Sequence, residues 1–249
     1  MKVVYHERYA EVYSGDPAAK AGRMESIYEE LHGCFDFVKP VFASEDDLKL
    51  VHTQDHVNSI KRCKLYENAL LAVGGAIKAS ELALDGEPAF GLIRPPGHHA
   101  SSDSCWGFCF FNNIAISIEK LRRTGKIERA IIVDVDLHYG DGTANIFQSI
   151  PEVSYFHMPG GDREKQLKSL LDRLDCKEGY DLIAVSAGFD RHSEDWGGIL
   201  TTKDYDEIGK MVKKSAERAC NGRRYGVLEG GYNHQVLGKN VKALLDGMK

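Results

Sequence analysis

The run Ala130-Ile131-Ile132-Val133-Asp134-Val135-Asp136 constrains the fold of this chain more than any other stretch. Its apolar residues are β-branched and continuous rather than alternating, the pattern of a parallel strand buried on both faces. Parallel neighbours need long crossovers, usually helical. Short apolar runs at Lys2–His6, Ala89–Ile93, Ala130–Asp136, Val153–His157, Asp181–Ala187 and Tyr225–Glu229 supply the strands. Amphipathic stretches at Ala19–His32, Asp55–Cys63, Glu67–Leu84, Asn112–Arg123, Gly142–Gln148, Arg163–Leu174, Thr202–Cys220 and Asn233–Met248 supply the helices. This alternation predicts an α/β fold, a three-layer α/β/α sandwich around a mostly parallel sheet with right-handed crossovers. No repeat, low-complexity segment or linker interrupts it, so residues 1–249 are expected to form a single domain. Ligands of such sheets bind at the carboxyl ends of the strands.

Those ends carry the chemistry. The strand ending at Ile93 runs into Arg94-Pro95-Pro96-Gly97-His98-His99-Ala100, a turn that presents two imidazoles. Imidazole is the proton-transfer group of neutral pH, although a polar surface loop is the plainer reading of the pair. Asp136 and His138 alternate on an extended segment and so share a side, and Asp190 follows another strand. Three such ligands with an open position define a catalytic metal site, whereas Asp-x-His alone often only caps a helix. A metal there would acidify water and polarise a carbonyl. His99 could then move the proton, with His98 as support or partner. Asp134 and Asp141 are placed to fix the imidazole tautomers, or else cap a strand end and a helix. Tyr232 follows Gly230 and Gly231, which allow close substrate approach; its phenol could donate to an oxyanion, or it is a half-buried rim residue. Phe108 after Gly107, within a dense aromatic run that reads first as core, could line a narrow channel for an aliphatic chain.

Composition excludes other classes. The net charge of −5 gives no basic surface for nucleic acid or anionic membrane. No run is long enough to span a bilayer, and the start has no signal-peptide pattern. The 6 cysteines are scattered, form no Cys-x-x-Cys, and are expected to be mostly small buried hydrophobes. A reducing, cytoplasmic setting follows as the expectation. Nothing in the sequence speaks to oligomeric state.

Five ordered motifs now resemble one family. They are Arg94-Pro95-Pro96-Gly97-His98-His99-Ala100, Gly107-Phe108-Cys109-Phe110-Phe111-Asn112-Asn113, Asp134-Val135-Asp136-Leu137-His138-Tyr139-Gly140-Asp141-Gly142-Thr143, Ser186-Ala187-Gly188-Phe189-Asp190 and Glu229-Gly230-Gly231-Tyr232-Asn233. The chain is similar to the histone deacetylase / acetylpolyamine amidohydrolase family, and Val51-His52-Thr53 matches it more weakly. The resemblance implies the arginase–deacetylase fold and hydrolysis of an acetylated amine, either acetyl-lysine or acetylpolyamine. It implies a divalent metal, usually zinc, on Asp136, His138 and Asp190; iron(II), manganese or cobalt would suit the same donors. It implies His99 as general base and acid assisted by His98, Asp134 and Asp141 as their partners, and Tyr232 as carbonyl polariser. Phe108 matches one wall of an acyl-lysine tunnel, and Gly107, Gly230 and Gly231 flank substrate positions. A structural potassium ion is implied near Asp134, Asp136 and His138.

The chain departs from the family's pattern at the rim. The segment from His157 to Asp181 is short, so the second aromatic wall is missing or supplied differently. The turn after Asp55–Cys63 lacks the acid that orients a substrate backbone. Trp196-Gly197-Gly198 stands for Pro-Leu-Gly-Gly and would put a large aromatic at the mouth. The expectation is a complete core under a trimmed, open entrance. A ureohydrolase of the same fold would need further aspartates after Asp190, and Arg191-His192 follow instead. A non-hydrolytic relative would have lost a histidine, a ligand or Tyr232.

Overall fold

The computed structural model describes residues 1–176 and 179–249. Its strands are β1 (Lys2–Val4), β2 (Asp36–Val38), β3 (Ala89–Gly91), β4 (Ala130–Asp134), β5 (Val153–His157), β6 (Leu182–Ala187) and β7 (Arg224–Leu228). They form one sheet in the order β2-β1-β3-β7-β6-β4-β5, and every pairing is parallel. Strands β3, β4, β6 and β7 are buried along their whole length, as their unbroken apolar runs predict.

The helices are α1 (Arg23–Leu31), α2 (Glu45–Leu48), α3 (Gln54–Lys61), α4 (Tyr66–Leu84), α5 (Asn113–Arg123), α6 (Asp141–Phe147), α7 (Arg163–Leu174), α8 (Thr202–Ala219) and α9 (His234–Met248). They pack in two groups. Helix α5 contacts α2, α4 and α6, while α9 contacts α1 and α8, and α8 contacts α7. The three-layer arrangement follows. No helix among the described residues is long and apolar enough to cross a membrane.

Two short elements escape the sequence pattern. Strand β2 is three residues at the sheet edge, with Asp36 exposed and bound to Lys2 at 2.9 Å. Helix α2 is a single turn held by a capping box between Ser44 and Asp47. The cysteines differ from expectation too. Cys109 and Cys220 are buried, but Cys34, Cys63 and Cys176 are exposed, because each lies at a turn or helix end rather than on a core face.

Strand order explains why motifs scattered from residue 94 to residue 233 can meet. The loops after β3, β7, β6 and β4 are neighbours across the middle of the sheet. Their carboxyl ends open on the same side, since all four strands run in parallel.

Candidate active site

Strand β4 ends at Asp134, two residues earlier than its apolar run predicts. The reason is local. Asp134 Oδ1 accepts from the Asp136 amide at 3.0 Å, and Asp136 Oδ1 accepts from the His138 amide at 2.9 Å. Successive side-chain-to-backbone turns replace the extended geometry and fold Asp136 and His138 toward each other. Asp190, at the end of β6, completes the group: one ligand-type atom from each of the three lies within 4.8 Å of the others.

These donors fit a divalent cation. His138 Nδ1 lies 3.1 Å from Asp136 Oδ1 and 2.9 Å from Asp190 Oδ2. Asp190 Oδ2 is buried without an aligned hydrogen bond. Burial and the Asp136 charge push the Asp190 carboxyl up to about 7. Hydrogen bonds to Asp136 and Asp190 raise His138 to about 10. Two buried carboxylates this close repel unless positive charge sits among them. Other contacts pin the ligands from outside. The Leu137 amide donates to Asp190 Oδ1 at 2.9 Å, and the Gly230 amide to Asp136 Oδ2 at 2.7 Å. A second trio, His98, Cys109 and Glu229, also brings ligand-type atoms together. There, Glu229 Oε2 already accepts from the amides of Gly97 at 2.8 Å and His98 at 3.2 Å, so it braces the histidine turn.

The two histidines are not equivalent. His98 Nδ1 donates to Asp134 Oδ2 at 3.1 Å, and the Tyr155 hydroxyl donates to the same oxygen at 2.8 Å. His99 Nδ1 donates to Asp141 Oδ1 at 2.6 Å. A carboxylate can only accept, so each Nδ1 carries the proton and Nε2 of a neutral ring is free to accept. Burial alone would lower His98, but Asp136, Asp134 and Glu229 outweigh it and its pKa ends well above 6.5. Burial, reinforced by His98, moves His99 below 6.5. The rings lie 4.0 Å apart between centroids.

These groups face a cavity of about 160 Å³ lined by Asp16, Pro96, His98, His99, Trp106, Gly107, Phe108, His138, Trp196, Glu229, Gly230 and Tyr232, among others. Gly107 has φ +60°, and a Cβ there would lie 3.1 Å from the His99 ring, so glycine is needed in this turn. Gly231 is not part of the cavity lining; its carbonyl accepts from Arg23 Nε at 2.8 Å. Burial and the charges of Asp136 and Asp190 push the Tyr232 phenol far above 10, which keeps it a hydrogen-bond donor.

The entrance has aromatic walls: Phe108 and Trp196 line it as expected from the sequence, and Trp106, which was not expected, joins them. Trp106 and Trp196 are the only tryptophans of the chain, and both line the cavity. Trp196 is 59% exposed and stacks on Tyr232, with centroids 4.1 Å apart and 29° between planes. Trp106 lies against His99 in a tilted arrangement, with centroids 3.8 Å apart and 32° between planes. Its Nε1–H also donates to Asp141 at 3.0 Å. The short segment 157–181 folds as the end of β5, a turn and α7; residues 177 and 178 lie outside the described residues. An acid does line the cavity, but it is Asp16, from the loop before α1. Sequence reading overlooked Asp16, Trp106, Tyr155 and Arg191. Trp106 directly precedes the Gly107–Asn113 motif, whose aromatic density reads as core.

Potassium fits poorly at Asp134 and Asp136, because their oxygens are committed to protein donors. Asp134 Oδ1 serves the Asp136 amide at 3.0 Å, and Asp134 Oδ2 serves His98 and Tyr155. The Asp134 carbonyl accepts from the Met158 amide at 2.8 Å. The Asp136 carbonyl accepts from His157 Nε2 at 2.9 Å and Arg191 Nε at 3.0 Å.

Residues 17–161 and 166–248 match the family model described as histone deacetylase domain. A probable deacetylase of Archaeoglobus fulgidus is 30% identical, over 93% of this chain and 81% of that relative. A probable deacetylase of Methanothermobacter thermautotrophicus is 31% identical, over 85% of this chain and 78% of its own length. The crystal structure of the HDA15 HD domain superposes with a TM-score of 0.85 at 21% identity, covering 98% of this chain and 88% of that one. At that identity the likeness speaks to the fold.

Proposed function

The chain belongs to the histone deacetylase family, and we propose that it is a metal-dependent hydrolase that removes acetyl groups from acetylated amines, with residues 1–249 acting as one catalytic unit. The observation that carries this reading is that one cavity is lined by His98, His99, His138 and Tyr232, with His138 grouped with Asp136 and Asp190 and the other two histidines each paired with an aspartate.

Asp136, His138 and Asp190 would hold a divalent cation, zinc in the first instance, which supplies Lewis acidity toward the acetyl carbonyl and its attacking water. His99 Nε2 takes the proton from that water and returns it to the leaving amine. Asp141 keeps the His99 Nδ1 proton in place and stabilises the imidazolium as it forms. His98, deeper and paired with Asp134, sustains the local charge balance. Tyr232 donates its hydroxyl hydrogen to the carbonyl oxygen as negative charge develops there. Phe108, Trp106 and Trp196 flank the alkyl chain that carries the amide. The products are acetate and the free amine.

Substrate panels test this. The metal-loaded protein is assayed side by side with acetyl-lysine peptides, acetylpolyamines and longer acyl-lysines. Release of acetate from at least one acetylated amine is expected, and loss of bound metal on Asp190→Ala by elemental analysis. Absence of hydrolysis across the panel by protein shown to hold its metal would overturn the reading.

A further inference from the structure

Arg191 follows Asp190 directly in sequence, yet its side chain turns away from the cavity and is 1% exposed. Its guanidinium lies among oxygens at the carboxyl ends of β4 and β5. Nε donates to the carbonyls of Val135 at 3.1 Å and Asp136 at 3.0 Å. Nη1 donates to the Pro159 carbonyl at 3.2 Å and Gln166 Oε1 at 3.1 Å. Nη2 donates to the Met158 carbonyl at 2.5 Å. All five acceptors are neutral oxygens, four of them backbone carbonyls, and Nη2 also lies 3.3 Å from His157 Nε2. A guanidinium is usually buried against carboxylate or phosphate, whose planar pair of oxygens matches its fork. Convergent carbonyl oxygens are instead the environment in which proteins seat a dehydrated potassium ion.

We propose that Arg191 is a built-in replacement for a structural monovalent cation, so that this active site is independent of potassium. One delocalised positive charge serves a cluster of oxygens that includes the Asp136 carbonyl, one of the groups implied for such an ion. It ties the Val135–Asp136 backbone, which carries a metal ligand, to the segment from Met158 to Gln166. The disagreement between the implied potassium and the committed Asp136 carbonyl then has a cause. Because the charge is covalently part of the chain and arginine does not deprotonate in proteins, this support cannot be diluted away or titrated.

The test compares metal-loaded wild type in KCl, NaCl and choline chloride at equal ionic strength. Melting midpoints are expected to agree within about 1 °C, and acetate release within about twofold, since an ion that does not bind the folded state does not stabilise it. A potassium-specific rise of several degrees in the wild type overturns the proposal. Arg191→Ala leaves buried carbonyls unpaired and should melt about 10 °C lower. KCl, but not choline chloride, should recover part of that loss. An Arg191→Ala protein that melts like the wild type, or that ignores potassium, also overturns it. Should the variant fail to fold, the wild-type comparison alone decides. The melting readout does not depend on the catalytic reading, so failure of one is distinguishable from failure of the other.

Discussion

Trp106 covers His99 with its ring and Asp141 with its indole N–H, so one side chain contacts both members of the His99–Asp141 pair. The inner pair is held in a parallel way, with the Tyr155 hydroxyl on Asp134. Trp106→Phe keeps a flat ring and loses the N–H. We expect kcat to fall about tenfold with KM changed less than about twofold, the scale of one lost hydrogen bond to a charged group. Trp106→Ala should fall further. In an Asp141→Ala background the Phe substitution should add almost nothing, because its partner is gone; additive losses would show that Trp106 acts elsewhere. Gly230 makes a second residue-scale prediction. A Cβ there would lie 2.5 Å from Asp136 Oδ2 and 2.9 Å from Asp190 Oδ2. Gly230→Ala should therefore lose stoichiometric metal although every ligand remains, and a fully metallated variant would contradict the packing. The ligands and histidines were legible in the sequence because their spacing and strand-tip positions carry the chemistry. Trp106 was not, since nothing local separates a tryptophan that covers a histidine from one that fills a core.

At the scale of elements, the site rests on where loops are anchored. The amide of Asn112, the N-cap of α5, donates to His52 Nε2 at 2.9 Å. Asn112 Nδ2 in turn donates to the Ala100 carbonyl at 2.9 Å and Thr143 Oγ1 at 3.0 Å. His52 thus joins the histidine turn, α5 and α6 through one cap. A second proton on this imidazole would face the Asn112 N–H, donor against donor. Burial, aided by His56, lowers the His52 pKa to about 3. The unfolded value is about 6.5, so the unfolded chain binds the extra proton first. The contribution of His52 is fully present above pH 6.5 and is lost as pH falls toward 3, at up to about 1.4 kcal/mol per pH unit. Urea unfolding between pH 7 and 5 should show this slope in the wild type and a shallower one in His52→Gln; equal slopes would contradict it. The central strands were legible because continuous β-branched runs admit few other readings. Strand β2 and helix α2 were not, being too short for any period to show. The turns at Asp134 and Asp136 were read as strand, because an aspartate that bonds its own backbone looks in sequence like one that points outward.

At the scale of the whole molecule, the parallel sheet brings four distant motifs to adjacent strand ends, and the metal would lock those ends together. Binding to the folded state alone stabilises by mass action, about 2.7 kcal/mol at a hundredfold excess over Kd. For a chain of this length that corresponds to a rise in melting temperature of roughly 5–10 °C on loading, removed again by chelator. The entrance is the least legible part. Its loops are short, and its walls come instead from two tryptophans distant in sequence, brought together only by the order of β3, β7 and β6.

In the proposed reaction, the metal ligands, the His99–Asp141 pair and the Tyr232 hydroxyl act on one acetyl amide. It is tested most directly by following acetate from an isotopically labelled acetyl amine, with wild type and Tyr232→Phe at verified equal metal occupancy. One acetate per free amine is expected from the wild type, and a rate at least about a hundredfold lower from Tyr232→Phe, as for loss of an oxyanion donor. Equal rates from the two proteins would contradict it.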